Sequence, residues 1–310
     1  MTGAARRPDF FIVGAPKSGT TAMYEYLRGH PDLFLPERKE LRFFGSDLEV
    51  RDRQPLTLAD FEAHFAGAEP GQRVGTAYVW YLYSRSAAEE IRAYAPDARI
   101  VVMLRNPVDM LHALHGEHLS NGNEDIADFT AALDAEPARR RGERIPPHAH
   151  LPQGLWYSTV PRYAEQLARY HDRFGRDRVH VILYDDFARD VPAAYRSLLA
   201  FLGVRDDWRP PSFDVINASH RTRSERLRHF LARPPELPRR VIRAMVPGPV
   251  RRSLYERAKR LNAARSTRRP VPPATTARIR AAFREEVERL AAVLDRDLGA
   301  WLGEGERPDG

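Results

Sequence analysis

Apolar positions along this chain follow two rhythms. Short, mainly apolar runs at Phe10–Val13, Arg99–Leu104 and Val179–Tyr184 have the length and flanks of strands buried on both faces. Between and after them, apolar residues recur every three to four positions. This spacing predicts helices over 20–28, where Ala22, Met23, Tyr26 and Leu27 share a face, and over 108–119, 160–174, 191–202 and 275–298. The last helix carries Ile279, Phe283, Val287 and Leu290 on one side, and packing on the sheet is the expected use of that face. Strands alternating with helices predict an α/β architecture, a single doubly wound domain with a central parallel sheet spanning 1–310. Residues 1–8 and 303–310 are expected to be flexible ends. The stretches 136–150, 205–223 and 262–273, rich in proline, arginine and polar residues, read as loops.

Composition narrows the chemistry. The 310 residues are 43% hydrophobic, enough for a sizeable core. The net charge is +7, nearly all of it from arginine, because Lys17, Lys39 and Lys259 are the only lysines. Such a balance suits an anionic ligand, although a GC-rich genome explains most of the arginine. With no cysteine, thiolate metal sites, disulfides and a cysteine nucleophile are excluded. Arg6-Arg7 before Phe10-Phe11 has the look of an export signal, but the apolar run ends at Val13, shorter than the ~7–15 residues such a signal needs. No stretch approaches the ~18 apolar residues of a membrane span, and the chain reads as cytoplasmic.

One loop carries most of the functional argument. Gly14-Ala15-Pro16-Lys17-Ser18-Gly19-Thr20-Thr21 stands between the first strand and the first helix. Backbone amides at a helix N-terminus, glycines that admit an anion closely, hydroxyls at Thr20 and Thr21, and the Lys17 ammonium together make a phosphate-binding arrangement. Gly14 and Gly19 keep the spacing of the nucleotidase P-loop, but Thr20 stands where that motif places its lysine.

Pro16-Lys17-Ser18-Gly19-Thr20-Thr21 resembles the 5′-phosphosulfate loop of the sulfotransferases that use 3′-phosphoadenosine 5′-phosphosulfate (PAPS), enzymes with a P-loop-like fold. The resemblance implies that Lys17 stabilises the bridging oxygen as the sulfur–oxygen bond breaks, while Pro16, Ser18, Gly19, Thr20 and Thr21 hold the 5′-phosphate. No metal is expected. Val102-Met103-Leu104-Arg105-Asn106-Pro107 is similar to the family's second motif and implies that Arg105 binds the 3′-phosphate. The serine that the family places two turns later is Ala113 here. Lys39-Glu40-Leu41-Arg42-Phe43-Phe44 resembles the segment that carries a glutamate base in heparan-sulfate-type and many bacterial members, which makes Glu40 the catalytic base. Those members have a Glu-Lys-Ser-Pro stretch where this chain has Gly75–Tyr81, which weakens the case for a sulfated polysaccharide acceptor.

The function implied is sulfuryl transfer from PAPS to a hydroxyl or amine of a small-molecule or glycan acceptor, with adenosine 3′,5′-bisphosphate (PAP) as product and no nucleic-acid partner. A P-loop kinase and a non-enzymatic binder of anionic polymers are the alternatives. Trp80, Tyr81, Tyr83, Trp156 and Tyr157 are candidates for an acceptor pocket or for the core. His115, His118, Arg221 and Arg223 read as solvated charges, and His150-Leu151-Pro152 as a chance match to a histidine motif of other sulfotransferases.

Overall fold

The computed structural model describes residues 6–51, 56–210, 212–213, 220–222, 263–265 and 270–304. Arg223 and parts of the loop-like stretches 205–223 and 262–273 lie outside the described residues, as do 1–5 and 305–310.

Five strands form one parallel sheet: β1 (Phe10–Gly14), β2 (Leu33–Phe34), β3 (Arg73–Ala77), β4 (Arg99–Leu104) and β5 (Val179–Leu183), in the order β2-β3-β1-β4-β5. The central strand β1 pairs Phe10 with Gly75 on one side and with Arg99 on the other. Its side chains alternate between two apolar layers. Phe11 and Val13 join the larger cluster, and Phe10 and Ile12 the smaller one. All four are fully buried, each contributing about 1.5–3 kcal/mol of apolar transfer energy. Helices α1 (Thr20–Arg28), α8 (Tyr184–Arg189) and α9 (Val191–Leu202) give Met23, Leu27, Phe187, Leu198 and Leu199 to the smaller layer. The opposite layer holds residues of α2 (Leu58–Ala63), α3 (Ala87–Tyr94), α4 (Pro107–Asn121), α5 (Phe129–Asp134) and α7 (Tyr163–Phe174). This is the expected doubly wound α/β arrangement. A short α6 (Glu136–Arg140) lies inside the stretch expected to be a loop. Two further strands, β6 (His220–Thr222) and β7 (Ala263–Arg265), form a separate antiparallel pair.

Two expectations need correction, and one strand escaped the sequence reading. The strand β3 has weak apolar patterning because Gly75 interrupts it. That glycine is required: a Cβ there would come within 2.0 Å of the Phe10 ring. The last long helix, α10 (Pro273–Leu294), stops at Leu294 rather than 298, because Asp295 takes the left-handed conformation that closes a helix. It packs chiefly against α4 and α7 rather than on the sheet. The short α11 (Gly299–Leu302) then seats Trp301, whose indole Nε1 donates to Asp185 Oδ2 at 2.6 Å. Among the described residues no helix is long and apolar enough to cross a membrane.

Sequence order and sheet order reverse around β1, so the chain leaves neighbouring strands in opposite directions there. A crevice at the carboxyl ends of the strands is the general result in such sheets.

Candidate active site

The carboxyl ends of the strands bring the candidate residues together. The loop 14–21 leaves β1 and is fastened on two sides. Ala15 N donates to Met103 O of β4 at 2.6 Å, and Leu82 N donates to Val13 O at 2.7 Å. Gly14 has no room for a side chain, since a Cβ would lie 2.8 Å from Val79 O. Gly19 sits at φ 88°, where a Cβ would press to 3.0 Å on the Phe187 ring. Ser18 is buried and donates from Oγ to Pro16 O at 3.3 Å, closing the loop on itself. Gly19 is also the residue that precedes α1, and no side chain caps that helix. Thr20 is buried and Thr21 half-buried. The first-turn amides are thus offered to a ligand rather than to a capping side chain.

Lys17 occupies left-handed backbone space at φ 59°, uncommon for a residue with a side chain. Its carbonyl accepts from Arg105 Nη1 at 3.3 Å, and its ammonium Nζ lies 2.7 Å from Glu117 Oε2. The two nucleotide motifs of the sequence therefore touch. Arg105 leaves the end of β4 just before α4, whose start is shaped by Pro107 and by Asn106 Oδ1 accepting from Val108 N at 2.9 Å. Its guanidinium lies over the Tyr184 ring at 4.3 Å from the centroid. Its Nε is buried without a hydrogen-bond partner. An unpaired buried donor on a charged group is costly, and an anion at that position would relieve it. Ala113, at the place of the family's serine, is fully buried on α4.

Glu40 follows β2 and is the second non-glycine residue of the site in left-handed space, at φ 64°. Its amide donates to Ala77 O at 3.1 Å, and its Oε2 accepts from Val79 N at 3.1 Å. Its Oε1 is ion-paired with Lys39 Nζ. Val79 therefore stands between the two halves of the site, with its carbonyl against Gly14 and its amide on Glu40. Tyr81 secures the stretch that carries Glu40. Its hydroxyl donates to Leu41 O at 2.7 Å and accepts from Phe43 N at 3.0 Å. Phe43 stacks on Phe61 with centroids 4.9 Å apart, fixing the far end of the stretch in the core.

Of the five aromatic candidates, Tyr81 and Tyr157 are core residues, while Trp80, Tyr83 and Trp156 are only partly buried. The two candidate histidines of α4 are not solvated charges, as their sequence context had implied: His115 and His118 are both buried. Burial pushes the His118 imidazole down to about 4, keeping it neutral, and its ring meets Trp80 edge-on at 6.4 Å. Arg221 lies in β6, and Arg223 lies outside the described residues.

Glu117 and Tyr184 escaped the sequence reading because neither belongs to a local motif. Glu117 follows Ala113 by one helical turn, and only three-dimensional structure shows that this turn faces Lys17. Burial presses the Glu117 carboxyl upward, but the Lys17 ammonium beside it, with Lys39 further off, outweighs this and holds the group below the usual carboxylate range.

Comparison with known proteins agrees with this geometry. A family model for the sulfotransferase domain matches residues 7–228. A crystal structure of a sulfotransferase from Alicyclobacillus acidocaldarius superposes with a TM-score of 0.70 at 29% identity, covering 96% of this chain and 99% of that one. Among curated proteins, human heparan sulfate glucosamine 3-O-sulfotransferase 6 is 33% identical over 119 residues, which are 38% of this chain and 32% of the relative. Human carbohydrate sulfotransferase 15 is 30% identical over 163 residues, covering 39% of this chain and 29% of the relative. The chain thus matches about a third of the length of these two relatives. With the doubly wound sheet and the two motifs meeting at its carboxyl edge, the match over residues 7–228 places this chain in the sulfotransferase domain family.

Proposed function

We propose that this protein transfers a sulfuryl group from PAPS to a hydroxyl or amine on a carbohydrate or other small acceptor, releasing PAP. The observation that carries the reading is the direct junction of the two nucleotide motifs, where Arg105 Nη1 holds the Lys17 carbonyl beside an uncapped helix N-terminus. The loop amides with Ser18, Thr20 and Thr21 would hold the 5′-phosphate. Arg105, with its unpartnered Nε, would take the 3′-phosphate.

In the transfer, the bond from sulfur to the phosphate oxygen of the donor breaks and a bond from sulfur to the acceptor oxygen or nitrogen forms. Lys17 faces the negative charge that grows on the departing phosphate oxygen, a charge larger in the transition state than in the ground state. Glu40 takes the acceptor's proton. The Val79 amide keeps one carboxylate oxygen oriented, and the Lys39 ammonium pairs with the other. A carbohydrate acceptor is supported by the similarity to a heparan sulfate and a carbohydrate sulfotransferase and by partly buried Trp80, Tyr83 and Trp156, rings of the kind that stack on sugars.

A thermal-shift series with PAP, magnesium–ATP and a DNA oligonucleotide tests the proposal. PAP alone should raise the melting temperature, and the shift should shrink in Lys17→Ala. A shift with magnesium–ATP and none with PAP would transfer the site to the kinase reading. A salt-sensitive DNA shift indifferent to Lys17 would make the protein a binder of anionic polymers.

A further inference from the structure

The proposed chemistry leaves one contact unused, the ion pair between Lys17 Nζ and Glu117 Oε2 at 2.7 Å. The ammonium assigned to a departing phosphate is already occupied by a carboxylate. We propose that Glu117 is the resting counter-ion of Lys17, holding the ammonium until the sulfated nucleotide displaces it. This rests on the donor reading given above.

A second ion pair in the molecule shows why this one can open. Arg139 and Glu124 are joined by two hydrogen bonds, at 2.7 and 2.6 Å, with both side chains fully buried. Breaking that pair would strand two charges away from water, at a cost of several kcal/mol, so it is permanent. In the Lys17–Glu117 pair the side chains are 29% and 42% exposed. Water can take up either partner, so the pair is weak enough to open. A donor that carries a phosphosulfate and a 3′-phosphate brings several negative charges beside Glu117. Those charges attract Lys17 and repel the carboxylate, so both effects open the pair.

The backbone supports the same reading. The Lys17 carbonyl is held by Arg105 between β4 and α4, and the Lys17 ammonium by Glu117 within α4. Main chain and side chain are therefore anchored to one strand-to-helix unit. Opening the outer contact swings the ammonium without loosening the loop. Glu117 is a positioning residue in this scheme, because it acts on the donor through Lys17.

With only three lysines in the chain, the side-chain resonances of 13C-lysine protein can be assigned individually, Lys17 by its loss in Lys17→Arg. The experiment compares wild type with Glu117→Gln, and with Glu117→Ala as a second variant, with and without saturating PAP. The Lys17 Cε resonance should differ between wild type and both variants without nucleotide, and coincide once PAP is bound. Titration should show PAP binding about fivefold tighter in Glu117→Gln, the gain from removing one half-exposed pair. Identical resonances without nucleotide, a difference that survives saturation, or an unchanged PAP affinity would each overturn the counter-ion role while leaving the donor site intact. Failure of wild type to bind PAP at millimolar concentration is a different result, and it removes the donor reading itself.

Discussion

The loop from Gly14 to Thr21 and the stretch from Lys39 to Phe44 meet at a single residue, Val79, yet they are held by different means. The first is fastened by main chain. The Ala15 amide ties it to β4, the Leu82 amide ties the end of β1 to the stretch after β3, and Gly14 and Gly19 admit backbone and ring where a side chain would clash. The second is fastened by side chains: the Tyr81 hydroxyl binds Leu41 and Phe43, and Phe43 stacks on Phe61. A site made of backbone is committed to one kind of ligand, here an anion, since amides point one way whatever side chains surround them. A site made of side chains can be re-cut residue by residue. The donor half is therefore the constant part of such a molecule and the acceptor half the adjustable one.

Substitutions separate the halves. Lys17→Met should act on both binding and chemistry, lowering turnover by about 10³-fold and weakening PAP. Glu40→Gln should lower turnover by about 10²–10³-fold while leaving the PAP affinity, measured by calorimetry, within twofold. If PAP affinity falls with turnover in Glu40→Gln, the division drawn at Val79 is wrong.

The helix that serves both halves gives a pH test. His118 has an ordinary value near 6.5 and a folded value of about 4, so the unfolded chain binds more protons between these limits. Stability that is complete above pH 6.5 is then lost as pH falls towards 4, by about 3 kcal/mol at most. Melting curves across that window should flatten in His118→Gln, and an unchanged slope would assign the loss to other groups. Arg105→Ala should weaken PAP about tenfold or more, at nearly unchanged turnover under saturating donor. Tyr81→Phe should be the mildest change, costing about 1–2 kcal/mol of stability and some turnover, with PAP binding intact.

Legibility in the sequence divides along the same line. The strands β1, β4 and β5, the loop at Lys17 and the strand end at Arg105 are local features. Each is written in consecutive residues, and each appears where the pattern put it. Glu40 was found as part of a consecutive motif too. What the sequence hid depends on distant positions. The strand β3 was concealed by Gly75, whose presence only makes sense once Phe10 is seen across it. The burial of His115 and His118 depends on what packs over α4, and a histidine looks the same in a buried face as in a wet one. Glu117 and Tyr184 meet Lys17 and Arg105 only after the sheet has brought β1, β4 and β5 side by side.

Lys17 and Glu40 share a backbone geometry that glycine adopts freely and that costs other residues roughly 1 kcal/mol or more. A charged side chain stands at each of two positions where glycine would rest without strain. A randomised library sorted only for heat resistance, with no demand for product, should drift towards glycine at 17 and 40, trading the two working groups for a more comfortable chain.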